Sequence, residues 1–477
     1  MKFLYAKLLS DLAHHICYCM HKIVTMNDFK NIPSIDRILK EPSIKALLDL
    51  YSHDSVVKLV QRNVDNLRNE IKLGKPTVSF KQLINNIELS ANENWLIQPS
   101  PVINASGVIL HTNLGRSPIS NDSIKAIVNS AGAYTDLEYE PLTGKRSNRQ
   151  RHVQNLINQI TGSESALVVN NNAAAALLCL TGMAKGKEVI VSKGESVEIG
   201  GNFRIPDLLE QSGAKLIEVG TTNRTYLSDY QKSINENTGA ILIVHTSNFK
   251  KIGFTHTPSI KELAALGNNH NIPVLNDLGS GTFIDTTMFG LISEPTVQES
   301  LEDGADLTFF SGDKLLGGPQ CGIILGSQAL IDKLSKHPLA RALRIDKLNL
   351  TALHSTLLHY VSNEPLSRIP IWGMISADLS DIKQRATDWL ETTKIKGEVI
   401  KSNSTIGGGS LPGEVLNTYV LAIEPKTSTA NKISAQLRSY ETPIIARIES
   451  DQVILDARTV LPDQDNIVIR ALKEITI

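Results

Sequence analysis

The sequence has few cysteines, almost no net charge and no long apolar run. Its four cysteines, among 477 residues, match neither a zinc spacing nor a disulfide framework, so we expect no metal site and favour a reducing cytoplasm. With 48 basic and 49 acidic residues, the formal net charge is -1, so any contact with nucleic acid must come from a local patch. No apolar stretch approaches the length that crosses a membrane, and we expect no membrane contact.

The chain is long enough for two or three domains, and its composition changes along its length. Residues 1–25 mix lysines, apolar residues and histidines without a small-residue cleavage site, and we expect an extension of unassigned role. Residues 26–98 show helical periodicity, 99–350 alternate strands with helices, and 351–477 predict a small α+β domain.

The N-terminal pattern predicts helices. Ser34 is placed to cap a helix that begins at Ile35, and apolar residues such as Val56, Val60 and Val64 recur at helical spacing. Lysine and arginine slightly outnumber acidic residues, and a solvated helical face is the default explanation of that surplus.

The central region predicts a mostly parallel, doubly wound sheet with helices on both faces. Ligands of such sheets bind at the carboxyl ends of the strands. A long helix is predicted from His337 to about Val361. The candidate strands are Ala166–Val169, Glu188–Ser192, Lys215–Val219, Ala240–His245, Pro273–Asp277, Leu307–Phe310 and Gly322–Leu325.

One lysine stands at the end of a buried strand. Lys314 follows the apolar run Leu307–Phe310 and precedes a Gly-Gly-Pro turn. Burial lowers the pKa of a lysine, and a neutral amine forms a Schiff base with pyridoxal phosphate (PLP). Ser311, three residues earlier, supplies a hydroxyl for the cofactor phosphate. A surface lysine in a loop is the alternative, and other residues decide between the two.

Two further motifs suit a PLP site. Asn171, Asn172 and Ala173 open an alanine-rich helix whose first N–H groups suit an anion, although a plain helix cap explains them equally well. Asp277 ends a strand, where a carboxylate would keep the pyridinium nitrogen of PLP protonated; a helix cap is again the alternative. The candidate phosphate-binding loop at Asn171–Ala173, Asp277 and the Ser-x-x-Lys motif follow one another in the order found in fold-type I PLP enzymes, the class of aspartate aminotransferase.

Polar and basic residues elsewhere supply further candidates. Asn248, after another strand, is a candidate partner for the 3-oxygen of PLP. Arg341 and Arg344 are predicted to share a face of the long helix, which suits the capture of phosphate or carboxylate. For two arginines alone, an exposed charged helix is the better explanation.

Together these stretches resemble the bacterial selenocysteine synthases, the L-seryl-tRNA(Sec) selenium transferases. The resemblance runs from about Ile32 to the C-terminus. Ser106 stands where threonine is expected, and residues 1–25 have no counterpart. The resembling stretches are Asn104–Arg116, Val169–Ala175, Val197–Asp207, Glu218–Thr225, Ser311–Gln320 and Arg341–Lys347.

The resemblance implies a transferase with PLP on Lys314 that acts on seryl-tRNA(Sec). It implies loss of the seryl hydroxyl to give aminoacrylyl-tRNA, followed by addition of selenium from selenophosphate. It also implies a tRNA-binding N-terminal domain and a homodecamer, a pentamer of dimers. Asp313 is carried over as a catalytic helper of unspecified role. The implied phosphate clamp consists of Arg116, Arg341, Arg344, Thr221 and Thr222.

Three other functions compete with this one. A PLP-dependent β-elimination lyase acting on a free amino acid or amino sugar would share the cofactor residues but would not need residues 26–98. A PLP- or tRNA-binding protein without catalysis would not need an intact lysine, aspartate and phosphate loop. A Rossmann dehydrogenase would need a Gly-x-Gly-x-x-Gly motif that does not follow the first strand.

Overall fold

The computed structural model describes Phe29 and residues 31–198 and 204–475. The predicted extension, residues 1–25, lies outside this description. The chain divides into two compact units, Met1–Ser100 and Pro101–Ile477. The finer domain limits given above stay a prediction.

The N-terminal unit is helical, as predicted. Its helices bury apolar residues at three- and four-residue spacing, including Val56, Val60 and Val64 on the longest one. The predicted cap is present, because the Ser34 hydroxyl accepts a hydrogen bond from the Arg37 N–H. The helices are Ile35–Ile38, Pro42–Leu50, His53–Lys72 and Phe80–Trp95.

The second unit contains the strands. In chain order they are β1 Ile103–Asn104, β2 Val108–Leu110, β3 Tyr139–Glu140, β4 Lys145–Arg146, β5 Ser165–Val169, β6 Glu188–Ser192, β7 Lys215–Val219, β8 Thr238–Val244, β9 Val274–Gly279, β10 Leu307–Ser311, β11 Gly322–Gly326, β12 Gly397–Gly407, β13 Val415–Ile423, β14 Ile444–Ile445, β15 Arg447–Glu449 and β16 Gln452–Asp456.

The large sheet confirms the predicted fold class. Its seven strands lie in the order β5-β11-β10-β9-β8-β6-β7, and only β11 runs antiparallel to its neighbours. These seven strands are the seven predicted ones, with ends that differ by no more than two residues. Continuous apolar runs form them because both faces of the sheet are covered. In β5, Leu167 and Val169 join one apolar core, while Ala166 and Val168 join the core on the opposite face.

The described part of the second unit also contains helices. They are Asn121–Ala131, Arg151–Thr161, Asn172–Ala184, Ile205–Ser212, Leu227–Ser233, Ile260–His270, Val297–Glu302, Gln328–Ser335, Pro338–Ala342, Lys347–Val361, Pro365–Arg368, Pro370–Ser376, Leu379–Thr393, Ala430–Arg438 and Asp465–Glu474, with short 3-10 turns at Thr112–Leu114, Lys193–Glu195, Thr286–Phe289 and Pro462–Gln464.

A second sheet dominates the C-terminal part. Its five strands lie in the order β15-β16-β13-β12-β2, and β2 is the parallel partner of β12. The predicted α+β character is therefore confirmed. Strand β12 was missed, because its polar residues alternate with few apolar ones. The chain thus contributes β2 to the C-terminal sheet before it enters the large one.

The predicted long helix from His337 to Val361 is wrong. The chain forms the helix Pro338–Ala342, leaves helical geometry, and begins again at Lys347. The break has two causes: the Leu343 carbonyl accepts the Asn170 N–H at 2.9 Å, and Asp346 caps the second helix. Arg344 lies in the break, bridged to Val169, so Arg341 and Arg344 do not share a helix face.

Among the described residues, no helix is both long and apolar enough to cross a membrane.

A buried carboxylate fastens the C-terminal sheet, and its removal tests this fold. Asp456 is fully buried and accepts hydrogen bonds from the Ser404 and Thr418 hydroxyls and from the Arg458 N–H. We expect Asp456→Ala to lower the free energy of unfolding by about 2–4 kcal/mol, since it leaves buried donors without an acceptor. Urea denaturation measures this value.

The matched control is Asp463→Ala at an exposed position, where a change of no more than about 0.5 kcal/mol is expected. Equal stability of the two variants would contradict the role of Asp456.

Candidate active site

A cavity of about 260 Å³ opens where the strands of the large sheet end. The segments that follow β5, β8 and β10 all reach it, and so does the end of β9, because the carboxyl ends of parallel strands share one edge. Its lining residues are Arg116, Asn171, Asn172, Ala173, Val244, His245, Ser247, Asp277, Gly279, Ser311, Asp313, Lys314 and Gln320.

Lys314 is buried at the centre of this group, with 4% of its surface exposed. The turn that holds it is closed by backbone hydrogen bonds, among them Gly317 N–H to the Lys314 carbonyl at 2.9 Å. Leu315 beside it is fully buried and donates its N–H to the Ser280 carbonyl. Burial lowers the pKa of Lys314, and the positive charge of Arg116 lowers it further, against the opposing effect of Asp277. The site therefore favours a neutral amine.

Asp277 lies in β9, 4% exposed. Its Oδ1 accepts hydrogen bonds from the Asn172 side chain at 2.8 Å and from the Gly279 N–H at 3.1 Å. Burial raises the pKa of Asp277, while the Asn172 hydrogen bond and the charge of Lys314 act in the opposite direction. A cationic partner in the cavity would stabilise the carboxylate form.

The helix Asn172–Ala184 points its N-terminus at the same cavity. Asn171 caps it, since the side chain accepts the Ala174 N–H at 2.8 Å, and Ala173 is exposed to the cavity. Asn171 thus acts as a helix cap through its side chain, whereas Asn172 reaches Asp277. The free N–H groups of a 13-residue helix and the Ser311 hydroxyl at the end of β10 together suit an anionic group.

Arg116 and Asp313 form an ion pair at the cavity wall. Arg116 Nη1 lies 3.0 Å from Asp313 Oδ2, and the Arg116 backbone adopts a left-handed φ of 62°. The Nε atom of Arg116 is buried and has no hydrogen-bond partner among the described residues. Because a buried donor is costly to leave unpaired, this atom is available to an anion in the cavity.

Glu294 was not identified from the sequence. It is 3% exposed, and its Oε1 lies 3.8 Å from His245 Nδ1 on the cavity wall. Its negative charge also opposes the lowering of the Lys314 pKa. Glu294 lies in an irregular segment between the 3-10 turn Thr286–Phe289 and the helix Val297–Glu302, where no motif indicated it.

Three predicted residues lie away from this cavity. Asn248 donates its side-chain amide to the Glu198 carbonyl at 2.8 Å and is not among the lining residues. Thr221 and Thr222 follow β7, the edge strand, and the Thr221 hydroxyl bonds to the backbone of Arg224. Within a single chain, the structure does not bring these side chains to Lys314.

Arg341 and Arg344 line a second cavity, of about 530 Å³. Arg146, Arg149 and Lys336 add positive charge to it, and Glu138 is the one acidic residue in its lining. A hydrogen bond from Arg149 holds the pKa of Glu138 below its ordinary value. Basic residues therefore concentrate at this second cavity, whose lining does not include Lys314.

Among the described residues, no group of three or more histidines, cysteines and acidic residues is arranged to hold a metal ion.

Comparison with protein families gives two matches. The family described as L-seryl-tRNA selenium transferase matches residues 102–461, and the family described as selenocysteine synthase N terminal matches residues 29–68. Together they cover most of the chain, including every residue that lines the cavity.

Individual proteins are also similar. The L-seryl-tRNA(Sec) selenium transferase of Alkaliphilus oremlandii is 43% identical over 459 residues, 94% of this chain and 98% of that protein. That of Carboxydothermus hydrogenoformans is 45% identical over 443 residues, 91% of this chain and 95% of that protein. Among solved structures, D-glucosaminate-6-phosphate ammonia-lyase aligns with a TM-score of 0.57 at 19% identity, over 79% of this chain and 98% of that one. This last likeness shows a shared fold.

The electrostatics of the cavity predict opposite effects of two substitutions on Lys314. Arg116→Met should raise the pKa of the amine, because it removes a neighbouring positive charge; Asp277→Asn should lower it, because it removes a negative one. The measurement is a ¹³C NMR titration after reductive methylation, with Lys314→Ala to assign the signal. Shifts of the same sign in both variants would refute this arrangement of charges.

Proposed function

The chain belongs to the L-seryl-tRNA selenium transferase family, and from that premise we propose that it converts L-seryl-tRNA(Sec) to L-selenocysteinyl-tRNA(Sec), with selenophosphate as selenium donor and PLP as cofactor. The observation that carries this proposal is the family match at both ends of the chain, over residues 29–68 and 102–461. A strand-end lysine in a cavity built for an anionic cofactor supports it.

The cavity residues fit PLP. Lys314 would hold the aldehyde carbon, Asp277 the pyridinium nitrogen, and the N-terminus of the helix Asn172–Ala184 with Ser311 the phosphate. Gly279, with φ of 66°, leaves open the space beside the amine: a Cβ there would lie 3.5 Å from Lys314 Nζ. When bound, PLP supplies an electron sink that acidifies the Cα–H of the substrate.

Lys314 is the proposed base of the reaction. Burial and the charge of Arg116 lower the pKa of its amine, which favours the neutral form that can take the proton from the seryl Cα. Asp313 lies beside it and fixes Arg116 through their ion pair, which gives Asp313 a positioning role in this proposal.

Selenophosphate needs a site for its phosphate, and Arg116 is the best-placed residue. Its unpaired Nε and its position on the cavity wall suit a charge-assisted contact to a phosphate oxygen. Arg341, Arg344, Thr221 and Thr222 remain proposed members of the same clamp on the strength of the resemblance. The basic second cavity gives the two arginines a setting that suits a phosphate.

The proposal extends to partners and location. Residues 26–98 bind the tRNA, the protein assembles as a decamer of five dimers, and it works in the cytoplasm. The rival lyase reading is not favoured: the ammonia-lyase likeness carries the fold alone, whereas the family match reaches residues 29–68, which a small-molecule lyase would not need.

A chain that begins at Pro101 tests the role of the N-terminal unit. It keeps the whole second unit, so PLP binding should match that of the full chain, while affinity for seryl-tRNA(Sec) should fall at least about a hundredfold. Filter binding at several salt concentrations measures the affinity, and PLP absorbance reports the integrity of the site. Equal tRNA affinity of the two chains would favour the small-molecule lyase.

The phosphate clamp predicts a selective kinetic defect. In Arg116→Lys, which keeps the charge but loses Nε, and in Arg341→Ala/Arg344→Ala, the KM for selenophosphate should rise about tenfold or more, since a charge-assisted contact contributes about 1.5–3 kcal/mol. The rate at which the seryl hydroxyl is lost in the absence of selenophosphate should change little. This rate is measured from the pyruvate that alkaline hydrolysis releases from the tRNA. If both steps are slowed equally in a variant, the substituted residues serve tRNA binding or the fold, and their assignment to the phosphate clamp is wrong.

A further inference from the structure

A loop of the C-terminal sheet lies close to the end of the Lys314 side chain. Strands β12 and β13 form a hairpin, and residues 408–414 are its loop. At Gly409, with φ of 88°, a Cβ would lie 2.8 Å from both Cε and Nζ of Lys314. Real Cβ atoms do not approach other heavy atoms below 3.0 Å. The end of the Lys314 side chain therefore lies close to Gly409, where no Cβ could be accommodated without a shift.

One residue of this loop has an unfavourable backbone conformation. Leu411 has a left-handed φ of 48°, an uncommon and costly state for a branched apolar residue. Its side chain is 1% exposed in a core that includes Leu110 and Trp372. Such a conformation persists only where surrounding contacts enforce it, so packing fixes the path of this loop.

Glu414 fastens the end of the loop to two segments at the cavity. Its Oε1 lies 2.6 Å from the Lys250 Nζ, in the segment that follows His245, and its Oε2 accepts the Ile292 N–H at 3.1 Å, two residues before Glu294. One carboxylate therefore joins the hairpin loop to both segments that place His245 and Glu294. The hydrogen bond from Lys250 lowers the pKa of Glu414, which favours the carboxylate form.

We propose that the hairpin loop 408–414 is a positioning element of the active site: Gly409 fixes the place of the Lys314 amine, and Glu414 keeps the loop closed over it. The inference deepens the proposed function and rests on it, because the position of the amine matters only if Lys314 binds PLP. A hydrogen atom is the largest group that the loop can present to the amine at position 409. Any larger group would displace Nζ, the atom that would bind the cofactor.

The test is Gly409→Ala, with Gly162→Ala as control. Gly162 has a similar φ of 76°, but a Cβ added there would have no other heavy atom within 4 Å. The control therefore carries similar backbone strain without the clash. Both variants and the wild type, at full length, are incubated with PLP, reduced with borohydride and mapped by peptide mass spectrometry. We expect the label on Lys314 to fall about tenfold in Gly409→Ala relative to Gly162→Ala, with similar thermal midpoints.

Equal labelling of the two variants would overturn the inference alone. Absence of label on Lys314 in the wild type would overturn the proposed cofactor and this inference with it. Should Gly409→Ala not fold, Glu414→Gln tests the fixation of the same loop without introducing a clash. Its control is Glu424→Gln, which breaks the Glu424–Lys396 ion pair at the opposite end of the hairpin.

For this second pair, the measurement is the rate at which bound PLP is lost to a hydrazine scavenger, followed by absorbance. We expect Glu414→Gln to release PLP several-fold faster than wild type, because the amide loses the charge and one of the two oxygens that accept from Lys250 and from the Ile292 N–H. Glu424→Gln should release it at the wild-type rate. Equal release rates in the two variants would overturn the role of Glu414.

Discussion

The structure depends on one lysine amine that is buried where the strands of the large sheet end. Burying a charged ammonium group in an apolar interior is unfavourable, and this burial lowers the pKa of the group. The positive charge of Arg116 lowers the pKa of Lys314 further, while the negative charge of Asp277 opposes the shift. Asp313 in turn pairs with Arg116, so the positive charge beside the amine is itself compensated. The cavity thus surrounds the amine with charges that shift its pKa in opposite directions.

A mostly parallel sheet is what allows these groups to meet. Asn172, Asp277 and Lys314 lie far apart in the chain, yet each lies in or follows a strand of the same sheet, and all three line the cavity at one edge of it. The helix that begins at Asn172 adds its dipole to that edge. The hairpin loop of the C-terminal sheet also approaches the lysine, at Gly409.

Local signals in the sequence predicted the large sheet and the groups at its strand ends. Apolar runs identify buried strands, so Lys314, Ser311 and Asp277 could be placed at one edge before any contact was known. The helix break at residues 343–346 could not be predicted, because it depends on the Asn170 N–H, which reaches the Leu343 carbonyl only in the folded chain. Glu294 and Gly409 were missed for a similar reason: both lie in irregular segments, and Gly409 follows a polar strand without an apolar pattern. Asn248 was chosen for its place after a strand, but its amide bonds elsewhere.

The central claim is that the buried lysine serves the conversion of a tRNA-bound serine. The direct measurement is to incubate the full-length protein and PLP with [¹⁴C]seryl-tRNA(Sec) and [⁷⁵Se]selenophosphate, and then to release and identify the amino acid on the tRNA. Wild type should yield selenocysteine carrying both labels, and Lys314→Ala should leave the serine unchanged. If the serine on the tRNA is untouched by wild type while free serine or an amino sugar is broken down without tRNA, the account is contradicted.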